Sequence, residues 1–280
     1  MAMSMPIGTE ASLPGTRGEE SATDSTFIVT ALAEARSMPR TTNFPIHFAR
    51  KFIGRPYVAH TLEINDTERL VVNTRQLDCT TLVETVTALT LCVQRRLFGW
   101  RDYRNALVEL RYRGGRLEGY ASRLHYFSDW IDDNARQGLV EEVQAPTPPF
   151  SAVQTIAVDY MSQHPQSYKA LKARPALIAN IADQERQLSG RQYRYIPKGD
   201  VHDTKAMRQA VRDGDIIAIT CSKPGLDIAH LGFAVWRSDG LHLLNASQLH
   251  KRVVEEPMTL GQYLQKHPSH TGIRVVRIKK

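Results

Sequence analysis

Cysteine is scarce in this chain, long apolar runs are missing, and no stretch carries a block of one charge. Only three cysteines occur in 280 residues. Cys79, Cys92 and Cys221 are odd in number and widely spaced. That excludes a disulfide framework, and the lack of any CxxC pair argues against zinc. The ten histidines include no HxxxH pair, so the helical metal motif is missing and no metal or other cofactor is expected. No apolar run approaches the length of a membrane span, so no integral membrane segment is expected. The net charge is +7 and the pI about 9.4, yet Arg95-Arg96 and Lys279-Lys280 are only pairs. Without longer basic runs or a zinc-finger pattern, the charge reads as a solvated surface, and no nucleic-acid partner is expected. The first 25 residues lack a basic start followed by an apolar block. Rich in Gly, Ser, Thr, Glu and Pro, they read as a flexible tail rather than a secretory signal.

What is present is a globular mixture, 42% hydrophobic and 23% charged, long enough for one large domain or two small ones. Its organising stretch is 76–97. Asp78 is a good N-cap, and Thr81 and Glu84 repeat a cap-then-acid spacing one step later. Leu82, Val86, Leu89 and Val93 form a helical apolar stripe, widened by Ala88 and Leu91. Cys79 then falls in the first turn, where free N–H groups and the helix dipole favour a thiolate and could hold an oxyanion. Taken alone, Cys79 is as consistent with an inert packing cysteine. Cys92 and Cys221 read as core fillers.

Around that helix the chain changes character once. Short helices are expected at 27–35 and 44–52, followed by a turn at Gly54-Arg55-Pro56-Tyr57. Residues 100–140 look helical and rich in arginine and aromatics, with Tyr126, Phe127 and Trp130 at helical spacing. Residues 143–150 carry three prolines and form a loop, and 151–182 look mostly helical. After Asp213 strands follow closely, at 215–221, 230–236, 241–247, 253–254 and 273–278, with a possible earlier strand at 192–197. Helices first and strands afterwards make an α+β fold with an antiparallel meander.

The hairpin carries the chemistry. If Val235 pairs with Gly240, His230 faces Asn245, and a shift of two keeps both on one sheet face. Gly232 and Ala234 share that face and would leave room for a helix end beside the imidazole. Cys79, His230 and Asn245 follow the order of nucleophile, base and orienting amide in a papain-like triad. A thiol needs a base, and the base needs a partner that fixes its tautomer.

Gly54-Arg55-Pro56-Tyr57-Val58, Leu77-Asp78-Cys79-Thr80-Thr81, Gly214-Asp215-Ile216-Ile217, His230-Leu231-Gly232-Phe233-Ala234 and Asn245-Ala246-Ser247 resemble successive motifs of the NlpC-type, papain-like bacterial cell-wall cysteine hydrolases. The likeness is closer to a subfamily long filed as a domain of unknown function, whose members resemble N-acetylmuramoyl-L-alanine amidases acting on muropeptides. Arg111-Tyr112-Arg113, the run 122–130 and Gly225-Leu226-Asp227 also look like that subfamily's motifs. The resemblance implies a papain-like fold, with the nucleophile helix packed on an antiparallel sheet. It implies one domain over 26–280, with 100–210 a mainly helical insertion bordering the cleft. Cys79 matches the nucleophile and His230 the base, while Asn245 stands where many relatives carry a second histidine. Tyr57 matches a tyrosine expected beside the oxyanion, and Asp78 shapes the turn. Arg111, Arg123, His125, Tyr126 and Asp227 become candidate substrate-binding residues, the arginines as forks for carboxylates.

The implied reaction is hydrolysis of the amide between N-acetylmuramic acid and L-Ala of a muropeptide. The competing expectations are an endopeptidase cutting within the stem peptide, acyl transfer to another acceptor, and an inactive wall-binding module. The substrate class implies the periplasm or cell envelope; the absence of a visible signal leaves cytoplasmic wall recycling or another export route open. The oligomeric state stays open too.

Overall fold

The computed structural model describes residues 21–279. The expected tail lies outside the described residues up to residue 20, and from Ala22 onward the chain is already helical. Helix α1 spans Ala22–Arg36 and is capped by the Ser21 side chain, which accepts from the Asp24 N–H. Helix α2 (Phe44–Arg50) starts on the Asn43 cap with Pro45 in its first turn, where the missing N–H costs nothing. Helices α3 (Cys79–Gln94), α4 (Trp100–Arg111) and α5 (Phe127–Arg136) follow. Strands β1 (Val140–Val143) and β2 (Ala152–Thr155) precede α6 (Tyr160–Gln163), α7 (Lys169–Ala173) and α8 (Ala176–Leu188). Strand β3 (Gln192–Pro197) and helix α9 (Lys205–Ala210) lead to β4 (Ile216–Cys221), β5 (Ile228–Arg237), β6 (Gly240–Ser247) and β7 (Arg252–Glu255). Helix α10 (Leu260–Gln265) and strand β8 (His270–Ile278) end the chain.

Eight strands form one sheet in the order β2-β3-β8-β4-β5-β6-β7, with β1 also paired to β8. The pairings between these strands are antiparallel. The expected meander is β4 to β7, and β8 returns to lie beside β4. The sheet is covered on both faces, as the period-two alternation of β4 demands. Ile216 and Ala218 join α1 to α5 in one apolar core, together with Leu231, Phe233, Val235, Leu244 and Ala246. Ile217 and Ile219 face the other way, into a second core with Leu243, Ile273, Val275, Met207 of α9 and Leu260 and Leu264 of α10.

The middle of the chain divides between two apolar clusters. Residues 100–140 are built into the main core: Tyr103, Leu107 and Leu110 of α4, and Phe127, Trp130 and Ile131 of α5, pack with α3. Within the expected helical stretch 151–182, Ala152–Thr155 is a strand, because β2 pairs along β3 from Ala152↔Tyr195 to Thr155↔Gln192. The part with an apolar cluster of its own is 156–193, where Ile156, Met161, Leu171, Ile181 and Leu188 pack with Tyr120 and Tyr126.

Candidate active site

Helix α3 begins as its sequence demands. The Asp78 carboxylate accepts from the Thr81 N–H at 2.8 Å, and Thr81 Oγ1 accepts from the Asp78 N–H at 2.9 Å, a reciprocal capping box. Cys79 is therefore the first helical residue, and it is 2% exposed. Pro56 and Tyr57 run beside the segment that delivers it: Tyr57 bridges Leu77 in parallel, and Leu77 exchanges backbone hydrogen bonds with Pro56 and Val58. Tyr57 packs against the main core.

The sulfur meets β5 at the backbone of Leu231, which supplies a hydrogen bond favouring the thiolate. That help is outweighed by burial. Burial, joined by the Asp78 charge, pushes the Cys79 thiol up to about 12. Burial thus opposes the thiolate that the helix terminus was expected to favour.

His230 lies next to that contact and is 9% exposed. Its Nε2 donates to Asn245 Oδ1 at 2.9 Å. The register behind this pair runs from Phe233↔Leu244 to Arg237↔Gly240, two residues on from the expected one. The two side chains stay on one face, diagonally related, and the imidazole spans the offset. Burial lowers the His230 pKa below its ordinary value of 6.5, and the Asn245 hydrogen bond pulls the other way.

The space beside the imidazole differs from expectation. A Cβ on Gly232 would come within 2.7 Å of Leu243 Cδ1 and 2.8 Å of the Leu244 carbonyl oxygen, so the glycine serves close strand packing. Ala234 faces the second core, where α10 lies. Helix α10 therefore lies on that face, and α3 packs on the opposite one, where Leu231, Phe233 and Val235 share its core. The Tyr263 ring of α10 stands 6.4 Å from the His230 ring. Burial raises the pKa of its hydroxyl, and the charges of Glu256 and Cys79 act in the same direction. The His267 ring is tilted against Tyr263 at 4.5 Å and stacks on His270 at 4.6 Å.

Behind Asn245 is a carboxylate that sequence reasoning missed. Asn245 Nδ2 donates to Glu256 Oε1 at 3.2 Å and to the Leu243 carbonyl at 3.3 Å. Glu256 is 1% exposed, and its Oε2 accepts from His250 Nε2 at 3.1 Å. Neither Glu256 nor Tyr263 stands in a recognisable motif, and only folding of β7 and α10 brings them here.

The five expected binding residues are buried and engaged within the fold. Arg111 donates from Nε to Glu84 at 2.7 Å and from Nη1 to the Val71 carbonyl at 2.7 Å. Arg123 pairs with Glu63 and Glu68 and lies over the Tyr120 ring at 4.9 Å. An acid of the same chain meets each guanidinium, while Arg123 Nε and Nη1 make no hydrogen bond. His125 Nε2 donates to the Tyr120 carbonyl at 2.9 Å, and burial holds its pKa well below the ordinary value. The Tyr126 hydroxyl donates to Glu185 at 2.6 Å. Asp227 accepts from the Ser128 N–H at 2.7 Å and so caps α5 from across the fold. Among the described residues no group of three or more His, Cys, Asp and Glu could hold a metal ion, and no helix is long and apolar enough to cross a membrane.

Against known proteins the likeness is extensive. A family model described as AmiA-like, N-acetylmuramoyl-L-alanine amidase-like, matches residues 47–273. The crystal structure of an N-acetylmuramoyl-L-alanine amidase from Bacteroides uniformis is 41% identical with a TM-score of 0.79, covering 85% of this chain and 98% of that one. A Bacteroides fragilis structure with a provisional xylanase name is 42% identical at a TM-score of 0.77, covering 83% and 100% of the two chains. A Legionella pneumophila protein, 20% identical with a TM-score of 0.69 over 93% and 97% of the two chains, shares the fold. Among the curated proteins none matches. With a family model spanning most of the chain and relatives above 40% identity over most of its length, this protein belongs to the AmiA-like, N-acetylmuramoyl-L-alanine amidase-like family.

Proposed function

We propose that the protein is a cysteine amidase that hydrolyses the bond between N-acetylmuramic acid and L-Ala in peptidoglycan fragments, on a papain-like, NlpC-type plan. The observation that carries this reading is the junction of α3 and β5: the Cys79 sulfur at a capped helix start, against the backbone of Leu231, with the next residue, His230, held by Asn245. The substrate comes from the family and from the name of the Bacteroides uniformis relative.

In this mechanism His230 Nδ1 takes the thiol proton as the sulfur attacks the lactyl carbonyl. Burial disfavours either ion alone, so thiolate and imidazolium form together, when substrate has closed the site. The Cys79 N–H, free at the first turn of α3, and the Tyr57 hydroxyl stabilise the oxyanion. His230 returns its proton to the L-Ala nitrogen as the C–N bond breaks. Water, deprotonated by His230, then cleaves the thioester and restores the thiol. Glycoside hydrolysis, as in the provisional name of the Bacteroides fragilis relative, calls for two working carboxylates. The acids beside this junction are already occupied, Asp78 in capping α3 and Glu256 in holding Asn245.

Defined muropeptides incubated with wild type and Cys79→Ala, with products weighed by mass spectrometry, test the proposal. Free sugar plus an intact stem peptide is expected from wild type and no turnover from the variant. A sugar still carrying L-Ala would make the protein an endopeptidase. Undiminished hydrolysis by Cys79→Ala would remove the mechanism, and binding without hydrolysis by wild type would leave a wall-binding module.

A further inference from the structure

The buried polar chain that starts at His230 runs on past Asn245 to Glu256. An asparagine amide has two near-equivalent ends and can turn about its last side-chain bond. Only one orientation serves a base. With Oδ1 toward the ring, His230 Nε2 must carry the hydrogen, and Nδ1 keeps the lone pair that receives a proton. With Nδ2 toward the ring, Nε2 becomes the acceptor, the hydrogen moves to Nδ1, and the base is lost.

We propose that Glu256 is the positioning residue that fixes this choice, acting on His230 through Asn245. An ionised carboxylate only accepts, so the amide end facing Glu256 Oε1 at 3.2 Å has to be the NH2 group. The Leu243 carbonyl, 3.3 Å from the same nitrogen, imposes the same demand. Oδ1 is thereby turned to His230 Nε2 at 2.9 Å. Glu256 is itself anchored twice: its Oε2 accepts from His250 Nε2 at 3.1 Å, and its backbone carbonyl accepts from His242 Nδ1 at 2.8 Å. Asn245 and Glu256 are 0% and 1% exposed, so water does not compete for these bonds. The charge of Glu256 also favours the imidazolium, alongside Asp78 and against burial and His267.

The inference rests on the proposed amidase reading, and its test separates the two. Histidine-labelled wild-type protein, with the His230 signals assigned by their loss in His230→Ala, should show by 15N NMR a neutral ring protonated on Nε2. A ring protonated on Nδ1 would overturn the inference whatever the activity. Glu256→Gln keeps the shape but can present either amide end to Asn245. It should lower kcat at least about tenfold, toward the roughly 10^4-fold loss known for a wrong tautomer, with KM little changed. Its neutral ring should show a share of the Nδ1 tautomer, and the acid limb of kcat/KM should move to lower pH. Glu256→Asp, which keeps an acceptor-only group, should recover part of kcat and the Nε2 tautomer. A Glu256→Gln protein with unchanged tautomer and pH profile would refute the role even if its stability fell. Wild type without hydrolysis would instead remove the amidase reading, and the NMR result would still stand or fall on its own.

Discussion

Removing the Glu84 carboxylate from beneath the proposed nucleophile should damage the fold and leave substrate recognition intact. Glu84 and Arg111 join α3 to α4 at 2.7 Å, with both side chains 2% exposed. Burial raises the Glu84 carboxyl and Arg111 pulls it back, while Glu84 keeps Arg111 charged. In Glu84→Ala the guanidinium stays buried with one backbone acceptor, Val71. An uncompensated buried charge of this kind costs about 3–5 kcal/mol. At about 2–4 °C per kcal/mol for a chain of this size, the melting temperature should fall by roughly 6–20 °C. Glu84→Met combined with Arg111→Leu should recover much of the loss, remaining below wild type by about 1–3 kcal/mol because the Val71 carbonyl is left unpaired. Thermal melts followed by circular dichroism give the stabilities, and muropeptide kinetics give KM. If Arg111→Leu raises KM at least about tenfold with an unchanged melting temperature, the arginine is a ligand fork after all. A loss below about 1 kcal/mol in Glu84→Ala would equally refute the argument.

Three further outcomes follow from the same structure. The acid limb of kcat/KM should lie below pH 6.5, because burial lowers His230 and activity is lost only as the pH falls through that lowered value; Asn245→Ala, which removes a bond favouring the imidazolium, should move the limb lower still, and a limb above 6.5 would contradict the buried base. His125 is neutral when folded and takes up a proton when unfolded below about pH 6.5, so its contribution to stability is complete above that value and lost as the pH falls. Melting curves at pH 7 and pH 5 should therefore show a smaller acid loss in His125→Gln than in wild type. Asp78→Ala should cost about 1 kcal/mol through the lost cap, read as a lower melting temperature with far-ultraviolet circular dichroism unchanged below the transition.

Much of the frame was legible from local rules. Asp78 announced the start of α3, and the strands after Asp213 fall where their apolar runs lie, because cap chemistry and alternation depend on neighbours in the chain. The hairpin register was misjudged by two because Arg237 and Gly240 pair directly around Ser238 and Asp239, with Gly240 at φ 135°. The partners of the two arginines were not legible for a different reason. A sequence shows that Arg111 and Arg123 are charged but not that Glu84, 27 residues away, and Glu63, 60 residues away, are folded against them. The depth at which residues 100–140 enter the core, with Trp130 fully buried, was not legible either, because it depends on contacts with α3. Glu256 was invisible for the same reason as Glu84: its meaning is a contact.

The proton that burial keeps on Cys79 has a consequence for durability. Peroxides and disulfides attack through the thiolate, and a sulfur that is neutral and shielded between turnovers offers them almost none. In the proposed role such a protein would resist inactivation by oxidants while idle and be vulnerable mainly during the moments when it works.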